Sequence, residues 1–211
     1  MKVRSIAAAM LAIGVISLHT GASAQFGLKN PLASNNNAAP SANAGEVMRN
    51  TRDSMLSFAK AELGLSQALG GYADLAAQQK LLEGMKSGDV AAKKEDFETI
   101  VTIHKSANEL IEKKASENAA IDANNKALAG KSMVDYVKGL ASTRKLIASV
   151  QGLAKNPMSL AGDAGSVMYV AKEVPGIASG AVSTTGKLMK YLGSNGVDMT
   201  EAKKAADGME K

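Results

Sequence analysis

Once residues 1–24 are set apart as an export signal, His104 is the one imidazole left, on a stripe with Phe97, Ile100, Ala107 and Ile111. At such a position an imidazole is either a buried, hydrogen-bonded core residue or an axial ligand facing a methionine in a haem-holding bundle. Nine methionines remain after the signal, but no spacing selects one of them, and without cysteine there is no covalent haem attachment. Methionine is also a common filler of irregular helical cores. His104 is thus the weak candidate for cofactor binding, and no cofactor is expected.

The stretch GAVSTTGK, Gly180 to Lys187, has the outline of a phosphate loop. Such a loop needs its glycines five apart and a hydroxyl residue after the lysine, so that backbone N–H groups cradle phosphate and the hydroxyl holds magnesium. Here Gly180 and Gly186 are six apart and Leu188 follows the lysine, which excludes nucleotide binding.

Acidic groups are equally unpromising as metal ligands. DANNKA places Lys126 where a calcium loop wants an oxygen ligand. Glu95, Asp96 and Glu98 have no Glu-x-x-His partner, and acids at the start of a long helix complement its positive end. No metal site is expected. With one histidine, no cysteine and no GxSxG elbow, the usual nucleophile-and-base arrangements are missing, so the chain reads as no enzyme. Its basic residues are not interleaved with stacking rings, which argues against nucleic acid.

The elements that hold these residues begin with MKVRSIAAAMLAIGVISLHTGASAQF. A basic end, an apolar run from Ile6 to Leu18 and Ala22-Ser23-Ala24 read as a signal peptide over 1–24, and thus as export to a periplasm or beyond. The remainder holds 23 basic and 20 acidic side chains, a formal +3. Residues 25–45, rich in Asn, Pro and Ala, bury too little to offset the entropy of ordering and read as a flexible leader.

From about Glu46 the pattern is helical throughout, since Ala, Leu, Met, Lys and Glu dominate and period-two alternation never persists. Expected are a first helix to Leu69, a break at Gly70-Gly71, and a second helix to Ser87-Gly88. Asp89 then caps a long helix reaching Ala129. Ser132 and Asp135 form a capping box for the next helix, and Asn156-Pro157 starts another, which Val174-Pro175-Gly176 bends or ends. A last pair of helices closes at the GSNG stop and at a short charged segment within 194–211. The fold class is all-α: an elongated bundle of about five to seven helices over 46–193.

Function then rests on surfaces. Residues 46–130 carry 11 basic and 13 acidic side chains, whereas residues 131–193 carry 8 and 3. The polar end of the long helix, with Glu112, Lys113, Lys114, Glu117, Asp122 and Lys126, is the candidate face for a protein partner or for self-association. The second candidate is the run around Gly176 and Gly180 with Lys172, Lys187 and Lys190. Its small residues suit close helix packing, and its basic, apolar character suits an anionic membrane surface. Its uncharged stretch is about 20 Å long as helix, against roughly 30 Å of hydrocarbon, too short to span. The expected function is an exported, non-enzymatic helical protein that binds a protein partner, with a membrane-active protein whose 157–193 region associates with anionic lipid and a haem- or metal-binding bundle using His104 as alternatives.

Overall fold

The computed structural model describes residues 40–85, 87–88, 91–155, 160 and 164–208. The signal peptide, most of the leader, Asp89 and Asn156-Pro157 lie outside them. The described residues form six α-helices and a 3-10 turn, with no strand: α1 Pro40–Ala68, α2 Tyr72–Gly84, α3 Lys94–Ser116, α4 Lys126–Ala154, α5 Ala164–Ser194 and α6 Thr200–Asp207. The chain is an all-α helical bundle.

Helix α1 is the centre of the bundle, with only Glu46, Ser57, Lys60 and Gln67 exposed among its described side chains. It packs most extensively on α4 and also on α2 and α3, while α4 in turn carries α5 and α6. Two glycines make the α1–α4 approach possible. A Cβ on Gly64 would stand 2.5 Å from Ser132 Oγ, and one on Gly139 would stand 2.8 Å from the Cα of Phe58. Because 64 faces 132 and 58 faces 139, the two helices run antiparallel.

Four boundaries differ from the sequence expectation. Helix α1 starts at Pro40, inside the stretch read as leader, and Ala44 is fully buried. Proline suits the first helical position, because the N–H it lacks would have no partner there. Gly70, at φ +81°, does end α1, and the Gly71 N–H returns to the Ser66 carbonyl at 2.8 Å.

The long helix expected to reach Ala129 stops at Ser116 instead. Asn118 adopts φ +49°, and the Ala119 N–H bonds the Lys114 carbonyl at 3.1 Å, so an asparagine supplies the left-handed cap that glycine more often provides. Helix α4 starts at Lys126, which places Ser132 and Asp135 inside it. Ser132 is buried against Gly64 rather than capping an end.

Pro175 neither ends nor divides its helix, because α5 runs unbroken from 164 to 194. Its inner face of Val167, Val170, Val174, Ala178, Ala181, Leu188 and Leu192 is buried on both sides of the proline. That packing outweighs the single backbone bond that proline removes.

Candidate functional site

Two places gather polar side chains in a way the fold does not require, one inside the bundle and one on its surface. The inner one joins α1, α3 and α4. Glu62 is fully buried on the α1 face that also carries Met55, Phe58, Leu65 and Leu69. Both its carboxylate oxygens lie 2.7 Å from Nδ1 of His104, itself 8% exposed. One N–H at Nδ1 satisfies one oxygen, and Oε1 is left without a hydrogen-bond partner.

Aromatic rings close this pair off. The Phe58 ring lies 5.4 Å from His104 and 4.9 Å from Tyr136, centroid to centroid. The Tyr136 hydroxyl donates to the Ala181 carbonyl at 3.4 Å, tying α4 to α5. Burial raises the Glu62 carboxyl to about 7 against the opposing pull of the His104 bond. Tyr136 is also raised, first by burial and then by the Glu62 charge.

His104 is therefore a buried, hydrogen-bonded core residue with one ring nitrogen committed to a carboxylate. The sequence reading missed Glu62, although an acid in register with Met55, Phe58, Leu65 and Leu69 was a visible signal. No group of three or more His, Asp or Glu side chains among the described residues could hold a metal.

A second buried charge holds the far end of α1. Arg52 is fully buried, bonds Asp53 through Nε at 2.9 Å, and donates to the Gly88 carbonyl at 2.9 Å. Asp53 accepts the Gly88 N–H at 2.9 Å, so the pair clamps the segment before α3. This is a structural device.

The surface candidate is the outer side of α5. At 100° per residue Lys172, Gly176, Ser183, Lys187 and Lys190 fall on one face, and all five are exposed. A Cβ on Gly176, Gly180 or Gly186 would meet nothing within 4 Å among the described residues. The small-residue packing expected at Gly176 and Gly180 is therefore not found there; Gly64 and Gly139 perform it in the α1–α4 seam. Within the phosphate-loop look-alike, Ser183 donates to the Gly180 carbonyl at 2.7 Å and Thr185 to the Ala181 carbonyl at 2.7 Å. The stretch is regular helix with its hydroxyls turned back onto the backbone.

Beside this face, α4 and α5 leave an open groove of about 400 Å³ lined by Arg144, Ile147, Pro175, Ala178, Ser179, Val182 and Ser183. Val182 and, 14 residues before it on α5, Met168 are exposed apolar residues, at 38% and 50%. No described helix is long and apolar enough to cross a membrane.

The third group, 112–126, is not one helix but a corner. Glu112, Lys113, Lys114 and Glu117 sit at the end of α3, with Glu112, Lys113 and Glu117 exposed. Glu112 accepts from Asn108 at 3.0 Å, and Asp122 caps the 3-10 turn by accepting the Asn124 N–H at 2.8 Å. Lys126 opens α4, its amine 3.1 Å from where a Cβ on Gly196 would be. Tyr191 and Asn195 of the α5 end hold this corner through the Ala119 carbonyl and the Ile121 N–H. Its polar residues thus serve a chain reversal, which accounts for the polar end expected of the long helix.

No family model matches the sequence, and comparison with curated proteins and with solved structures gives no match.

Proposed function

We propose that the chain is an exported, non-enzymatic helical protein that binds another protein through the outer face of α5. What supports this reading is the set of glycines on that face. Glycine inside a helix costs about 0.5–1 kcal/mol relative to alanine, and Gly176, Gly180 and Gly186 have no neighbour among the described residues that needs the space. A second helix laid against α5 would use it, because two backbones approach closely only where side chains are small.

The test is a photoreactive residue at Ser183, compared with one at Glu117, in the full chain exported from living cells. A protein adduct at Ser183 that Gly180→Leu removes, with Tm not lowered, is the expected result. Adducts confined to Glu117 would move the binding face to the α3–α4 corner. Absence of adducts at both positions would end the protein-partner reading.

A further inference from the structure

The two helices that form the groove carry side-chain charge of mostly one sign. Helices α4 and α5 together carry eight basic side chains against two acidic ones, Asp135 and Glu173. Glu173 is already engaged, 3.8 Å from both Lys105 and Lys172. Arg144 lines the groove and makes no ion pair among the described residues. Beside it the groove offers Ile147, Pro175 and Val182 as apolar surface, with Ser179 and Ser183 at its edge.

We infer that the occupant of this groove is an acidic amphipathic helix, its apolar side on Ile147, Pro175 and Val182 and its carboxylates towards Arg144, Lys172 and Lys190. This rests on the reading of α5 as the binding face and adds the chemistry of the partner. Helix-in-groove recognition pairs an apolar stripe with a recess, and flanking charge of opposite sign sets orientation and on-rate. A second copy of this chain docking by the same face would set basic side chains against basic ones, which costs rather than gains. A planar anionic bilayer meets the lysines but leaves the recess unfilled, because Met168 and Val182 are the outward apolar residues of α5 and polar Ser179 and Ser183 flank Val182.

Two labelled helical peptides with the same leucine and alanine face, one with glutamates on its polar side and the other with lysines, distinguish these cases by fluorescence anisotropy with residues 25–211. The acidic peptide should bind, and more weakly as salt is raised. Arg144→Glu and Val182→Asp should each lower its affinity at least about tenfold, with Tm unchanged, while Lys60→Glu on exposed α1 surface should have no effect. Equal binding of the two peptides, binding of neither, or indifference to Arg144→Glu would overturn the acidic-helix assignment. Binding to phosphatidylglycerol vesicles with no peptide binding would replace it with a lipid surface. A Ser183 adduct that persists alongside any of these results leaves α5 as the binding face and removes only the assigned partner chemistry.

Discussion

Glu62 and His104 stand 42 residues apart in sequence and meet inside the bundle, with both carboxylate oxygens 2.7 Å from Nδ1 of the imidazole. The contact joins α1 to α3 under the Phe58 ring, and it places an ionisable acid where no water reaches it. Its expected consequence is a pH-dependent stability. Burial raises the Glu62 carboxyl from 4.5 to about 7, so the folded chain binds a proton that the unfolded chain has already released between those values. The sign follows from linkage: where the native state holds more protons, stability falls as pH rises.

Urea unfolding should therefore show greater stability at pH 5 than at pH 7.5, by up to about 3 kcal/mol for a shift of this size. Glu62→Gln keeps the shape and removes the titration, so its stability should be nearly flat across the same interval. A wild-type stability that rises from pH 5 to 7.5, with the same slope in the glutamine variant, would contradict the assignment.

The α1–α4 seam and the outer face of α5 should respond oppositely to one methyl group. Gly139→Ala drives a Cβ into the Phe58 backbone and should cost about 1–3 kcal/mol. Gly180→Ala enters open space in a regular helix and should add about 0.5–1 kcal/mol. Thermal and urea denaturation of the two variants side by side reads both signs.

Arg52 should be costly to truncate. Arg52→Ala removes the bond to the Gly88 carbonyl and leaves Asp53, whose side chain is 15% exposed, without its guanidinium. A loss of about 3 kcal/mol is expected from breaking a buried pair on one side. Amide exchange at Gly88 should accelerate along with it, because Asp53 is no longer held in place to accept that N–H.

At the α3 end, Asn118→Ala should cost about 1 kcal/mol, since alanine pays to enter the left-handed region. Asn118→Gly should be close to neutral or slightly stabilising, because glycine enters φ +49° without strain. Equal stability of the two variants would mean that the turn has another conformation.

The sequence by itself determined the helical class, because helix-forming residues and a 3.6-residue apolar period run from α1 to α5 with no competing strand pattern. It also fixed the break at Gly70-Gly71, where local backbone chemistry is decisive. It misplaced the α3–α4 turn, because Asn118 resembles any other polar residue in a polar stretch until its dihedral angle is known. It expected a bend or an end at Pro175, where the lost bond is a local cost and the buried residues that outweigh it come from the packed face of α5. Tertiary structure alone decided which glycines are packed: Gly64 and Gly139 look no different from Gly176 and Gly180 in sequence, and only the arrival of α1 against α4 separates them. The same holds for Glu62 and His104, since neither local propensity nor spacing brings an acid and an imidazole together across 42 residues; the crossing of α1 and α3 does.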